Sequence, residues 1–247
     1  MRRFVFVALL WCGAVCVFGQ GGPPMLTDDP GTPGNGRWEN NIAITFEHPP
    51  NEWSLQTPQV DLNYGWGDHI QLNAQTSFNI LKRTDHGAIG GPGDAQLAVK
   101  WRFVDEDRRG FDMSIYPRLF VNLAQSSVRR GLTDAGTRFL LPAEIAKKIG
   151  RFECDAEVGA LVGTVGPSEW LYGLVVGTEL SEKTEVMAEL HGTSRTSFAD
   201  DELAVNFGFR HKLNAHAIWI GSLGHELRAP DDDPLALIGY CGVQLLY

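Results

Sequence analysis

The sequence predicts an all-β fold, a twelve-stranded antiparallel barrel of the transmembrane, outer-membrane type. Three observations predict it. Beyond residue 36 apolar residues fall on every second position, the periodicity of strands with two unlike faces. The segments that show this number twelve, which is even, and each is near the roughly 9 to 11 residues that a tilted membrane strand needs. Their connections also alternate: "GWGD", "DEDRR", "IGR", "SEK" and "KLN" are tight, whereas "KRTDHGAIGGPG", "LAQSSVRRGLTDAG" and "LRAPDDDP" are longer. Short turns on one rim and longer loops on the other belong to outer-membrane barrels.

The elements follow in order. Arg2 and Arg3 precede the apolar run "FVFVALLWCGAVCVF" and then Gly19, which reads as a secretory signal peptide over 1–19. The run is shorter than the roughly 20 residues of a helical span. Residues 20–36, rich in Gly and Pro, read as a flexible periplasmic lead, and 37–247 as the barrel domain. Strands are expected near 37–47, 54–64, 68–80, 95–104, 110–122, 137–148, 151–163, 169–179, 184–195, 201–211, 214–225 and 235–246. In the first, Trp38, Ile42, Ile44 and Phe46 oppose Glu39, Asn41, Thr45 and Glu47. In the third, Ile70, Leu72, Ala74, Phe78 and Ile80 oppose Gln71, Asn73, Gln75 and Asn79. The fourth sets Leu97, Val99, Trp101 and Phe103 against Gln96, Lys100 and Arg102. The seventh sets Phe152, Cys154, Ala156 and Val158 against Glu153, Asp155 and Glu157, and the tenth Leu203, Val205, Phe207 and Phe209 against Glu202, Asn206 and Arg210.

A soluble β-sandwich or lipocalin-like barrel also alternates, because one face packs a core. Two features favour the membrane. The polar face is crowded with charge, which suits a solvent-filled lumen or an exposed sheet face, so the apolar face is the one that must find a partner. The aromatics also form two girdles, Trp38, Trp101 and Tyr247 near the short-turn rim and Phe46 and Trp170 near the other. Trp219 falls mid-strand on this register and does not fit. Cys154 and Cys241 lie on the outward faces of strands seven and twelve, nearly across the barrel, so no disulfide is expected between them.

The 247-residue chain carries a formal charge of −9, and loss of the leader with its two arginines leaves it more acidic. That argues against a nucleic-acid partner. The expected partners are outer-membrane lipid, the barrel-assembly machinery and a small solute.

Several stretches resemble a family of bacterial outer-membrane barrels described as transporters or as proteins of the MetA pathway of phenol degradation. They are "MLTDDPGTPG" with "WENNIAI", "DLNYGWGDHIQL", "AQLAVKWRF" with "DED", "SIYPRLFVN", "SSVRRGLTDAGTRFLLP" and "GYCGVQLLY". The resemblance implies an outer-membrane location and, more weakly, an association with uptake of aromatic or hydrocarbon compounds. It supplies no catalytic motif.

The candidate functional residues are therefore those of the lumen. Lys100, Arg102, Arg118, Arg138 and Lys148 form a basic strip, facing Glu153, Asp155 and Glu157 and then Glu185, Glu189 and His191 on one side, and Glu39, Glu47 and Asp61 on the other. In a water-filled pore such a field orients solutes and biases ion selectivity. With equal weight, the same groups pair off and seal the interior, since twelve strands lie between the filled and the open cases. Arg129, Arg130 and Asp134 sit in the longest loop, a candidate constriction, although loops usually lie outside. No G-x-S-x-G elbow is present and His191 falls on the polar face, so no enzyme is expected. No cofactor or metal is expected either. His211 and His216 should point to opposite faces, and Asp231, Asp232 and Asp233 read as a solvated loop more readily than a calcium site. Tyr247, Leu245 and Val243 end the last strand on its apolar face and resemble the signal that barrel-insertion machinery reads. The expected function is a passive or facilitated channel for small solutes, or alternatively a non-transporting structural barrel sealed by ion pairs.

Overall fold

Period-two segments form a barrel when every strand finds a partner on both sides, so that no edge is left open to lipid. The computed structural model describes residues 21–49, 51–198, 200–230 and 236–247. The signal peptide and Asp231, Asp232 and Asp233 lie outside the described residues. The strands are β1 (Trp38–His48), β2 (Glu52–Trp66), β3 (Ile70–Arg83), β4 (Ile89–Val104), β5 (Asp112–Ile115), β6 (Arg118–Asn122) and β7 (Arg138–Ile149). They continue as β8 (Phe152–Gly163), β9 (Glu169–Ser181), β10 (Thr184–Arg195), β11 (Glu202–Asn214), β12 (Ala217–Arg228) and β13 (Leu237–Leu246). Two short helices, α1 (Glu106–Arg109) and α2 (Gln125–Arg129), lie in connections.

Successive strands pair antiparallel, and β13 pairs with β1 to close the ring. At that seam Trp38 and Tyr247 exchange backbone hydrogen bonds of 2.9 and 3.0 Å. β5 and β6 occupy one position, both pairing with β4 on one side and β7 on the other. The break falls at Tyr116–Pro117, where proline has no N–H to give the ladder. Thirteen segments thus make the expected closed barrel of twelve strand positions.

Side chains are arranged inside out relative to a soluble barrel. Outward-facing Leu97, Val158 and Phe207 are 54%, 56% and 63% exposed, whereas inward-facing Lys100, Glu189 and Asp155 are 2%, 2% and 0% exposed. A soluble fold would bury the first set and solvate the second, so the apolar band is built to face lipid.

Besides the break in the expected strand 110–122, three expectations change. β4 begins at Ile89, because "GGPG" pairs with β3 through a register shift although it carries no apolar alternation. β12 begins at Ala217, since β11 runs on to Asn214, whose side chain caps the turn by accepting from the His216 N–H at 2.8 Å. Trp219 is therefore the third residue from the short-turn rim, edge-on to Phe209 at 4.8 Å, and joins the girdle it had seemed to miss. The third change is the lead. Residues 21–33, expected as a flexible periplasmic segment, run inside the barrel, where Thr27 and Pro30 are wholly buried. Cys154 and Cys241 are free thiols, on β8 and β13.

Candidate functional site

The lumen is divided at mid-height by the lead. A backbone turn, with Met25 N–H donating to Gly22 at 2.9 Å and Gly22 N–H to Thr27 at 2.7 Å, gives this segment its compact tip. Burying such a tip leaves N–H and C=O groups that need partners, and the barrel wall supplies them from several sides. Glu189 on β10 accepts from the N–H of Leu26 at 3.2 Å and of Thr27 at 2.6 Å, and Glu157 on β8 accepts from Asp28 N–H at 2.9 Å. Across the turn, the Arg210 guanidinium on β11 donates to the carbonyls of Gly21, Gly22 and Pro23, and Ser222 Oγ on β12 donates to Pro24 at 2.8 Å.

The wall is also shaped for it. A Cβ on Gly173 of β9 would lie 2.0 Å from Thr27 Oγ1, and one on Gly208 of β11 would lie 2.0 Å from Met25 Cε. Any larger residue at these inward positions displaces the segment. Met25 packs with Val175 and Met187, an apolar contact inside an otherwise polar lumen.

Electrostatics fix the segment's far side. Asp28 receives Lys100 Nζ at 2.7 Å and Arg118 Nη2 at 3.2 Å. Arg118 also reaches Glu157 at 2.9 Å and Glu144 at 3.5 Å, while Lys100 lies 3.7 Å from Glu144 and donates to the Asp29 carbonyl. The Tyr116 ring, at the β5–β6 break, sits against both cations, 4.6 Å from Lys100 Nζ and 4.4 Å from the Arg118 guanidinium. Buried charges are tolerated only when paired in this way.

The structure places these side chains at separate levels of the barrel and not in one cluster. Lys100, Arg118, Glu157 and Glu189 meet at the plug. Arg102 lies at the short-turn rim with Asp105 at 3.3 Å, and Arg138 near the long-loop rim with Asp94 at 2.7 Å and with Asp134. Glu153, Asp155 and Glu185 face the lumen below the plug, Glu185 being 3.8 Å from Arg210. His191 stands one inward step beyond Glu189 on β10. Of the long loop, Leu132 and Ser127 tuck against Gly91 of β4, and Asn79 donates to the Leu132 carbonyl at 2.7 Å. Arg129 and Arg130 remain exposed, with Arg130 donating to the Gly90 carbonyl at 3.0 Å. Val243 and Leu245 face outward and Tyr247 is exposed at the rim.

Sequence reasoning missed Thr27, Asp28 and Met25, because no periodicity marks a segment that belongs to neither face. Glu144 and Arg210 lie on the polar faces of their strands, where alternation alone assigns them no role. The available signal was small: two glycines at inward positions of β9 and β11, where neighbouring strands carry larger side chains.

Below the plug lies a cavity of about 350 Å³, bounded by Gly21, Asp29, Glu39, Glu153, Glu185 and Arg210 and reaching the short turns at Gly150 and Lys183. A cavity of this size has room for several waters, whose share of liquid volume is roughly 30 Å³ each.

These features define an outer-membrane-type β-barrel with a polar lumen and an inserted plug. The fold matches solved barrels. An outer-membrane channel from Pseudomonas putida F1 aligns at 13% identity with a TM-score of 0.65, covering 89% of this chain and 98% of that one. The KdgM porin aligns at 8% identity and 0.59, covering 83% and 98%. The CymD monoaromatic hydrocarbon channel aligns at 7% and 0.51, covering 87% and 89%. Identities this low speak for the fold. No family model and no curated protein matches the chain.

Proposed function

We propose that the protein is an outer-membrane channel for small solutes, seated in lipid through its apolar band after insertion by the barrel-assembly machinery, with residues 21–33 as the plug of its lumen. One observation carries the reading. Among the described residues, what closes the lumen at mid-height is a segment outside the wall, attached by hydrogen bonds and ion pairs, with a solvent-sized cavity of about 350 Å³ beneath it. The channels and porins among barrels of similar fold support the same reading.

Passage of aromatic or hydrocarbon compounds is the finer version, supported by the family resemblance and by the cargo named for the CymD channel. The polar lumen wall favours water-soluble solutes instead. A second reading, a sealed structural barrel, is favoured by the buried network of Lys100, Arg118, Asp28, Glu144 and Glu157.

Planar-bilayer recordings separate the two. The channel reading expects rare openings of the wild-type chain and frequent ones for Gly173→Val, which obstructs the seat of Thr27. Silence of both proteins at every voltage sinks it and leaves the sealed barrel.

A further inference from the structure

We infer that the lumen passes monovalent cations, inorganic or small organic ammonium ions, in preference to anions. This rests on the channel reading. The argument is the balance of fixed charge along the path, level by level.

Below the plug, Asp29, Glu39, Asp61, Glu153 and Glu185 line the cavity. Two bases face them, Arg210 and Lys148, and Arg210 is already held by Glu185 and three lead carbonyls. At the short-turn rim the charges nearly balance, Arg151, Lys183 and Lys212 against Glu179 and Glu182. At the plug, Lys100 and Arg118 are matched by Asp28, Glu144 and Glu157. Above it, Glu47, Glu202 and Glu226 face inward from β1, β11 and β12, while Arg138 is engaged by Asp94 and Asp134. Of the other bases at this rim, Arg129 and Arg130 are exposed in the loop, Arg195 pairs with Asp200 at 2.8 Å and Arg228 with Asp201.

Among the described residues no three acidic, His or Cys side chains converge as metal ligands. Selection therefore comes from the field of the lumen, as in carboxylate-lined cation pores, and not from chelation. A lumen potential of only about one kT enriches cations and depletes anions by the same factor, a preference of roughly sevenfold.

The test is the reversal potential of the refolded full-length chain, and of Asp28→Asn, in bilayers under a KCl gradient. The expected permeability ratio of K⁺ to Cl⁻ is roughly sevenfold, falling toward one in the triple variant Glu39→Gln, Glu153→Gln, Glu185→Gln. A wild-type ratio at or below one, or a ratio the triple variant leaves unchanged, overturns the proposal while the channel stands. Absence of conductance in every protein removes the channel reading itself, and with it this one.

Discussion

Asp28→Asn should loosen the plug by an amount that can be worked from its contacts. The carboxylate takes one hydrogen bond from Lys100 at 2.7 Å and one from Arg118 at 3.2 Å. Stripping the partner from a buried pair costs about 3–5 kcal/mol. Here both cations keep a second carboxylate, Glu144 at 3.7 Å for Lys100 and Glu157 at 2.9 Å for Arg118. Asparagine also retains an acceptor oxygen. The loss is therefore nearer that of a single charged hydrogen bond, about 1.5–3 kcal/mol. At 1.4 kcal/mol per factor of ten, the plug unseats roughly 10- to 100-fold more often. Hydrogen exchange reads this at the amides of Leu26, Thr27 and Asp28, which are bonded to Glu189 and Glu157. Their exchange should accelerate by that factor while strand amides are unchanged. Asp29→Asn is the control, since the Asp29 side chain accepts from Gly31 N–H within its own turn and should move these amides far less. Equal exchange in wild type and Asp28→Asn would refute the ionic latch.

Gly173→Val and Gly208→Leu should expel the segment sterically, so limited proteolysis cuts within residues 21–33 while heat-modifiable migration shows an intact barrel. Leu97→Arg, in the exposed apolar band, should destabilise the folded barrel in lipid vesicles by about 2–4 kcal/mol in urea unfolding. Gln96→Arg, one residue away on the lumen face, should cost less than half as much, and equal costs would mean the faces are wrongly assigned. Trp219→Ala should weaken the same unfolding, since Trp219 stands in the rim girdle; no change would return it to an incidental surface residue.

The wall was legible because its physics is periodic. Glu153, Asp155 and Glu157 alternate with Cys154 and Ala156, and that alone places them inward once β8 is flanked by β7 and β9. Errors arose where a residue's role does not depend on period. "GGPG" extends β4 without an apolar face, and the length of the β11–β12 turn decided where Trp219 falls. The candidate site was half legible. Lys100, Arg118, Glu157 and Glu189 could be placed in the lumen, but their common partner is separated from them by as many as 163 positions and carries no pattern of its own. Composition had suggested disorder for that lead; tertiary contacts, not propensity, hold it in place.

The plug joins the wall through Gly34 and Gly36, both in the left-handed region at φ 85° and 72°, beside the β2–β3 turn where Gly36 N–H donates to Gly65 at 2.9 Å. Only a few residues separate that anchor from Asp28. A tether so short keeps a released segment at an effective concentration on the order of millimolar or more near its own seat. Reseating is then a first-order event, indifferent to how many copies the membrane holds. Each barrel carries its own stopper on a leash, and the leash sets how long any excursion lasts.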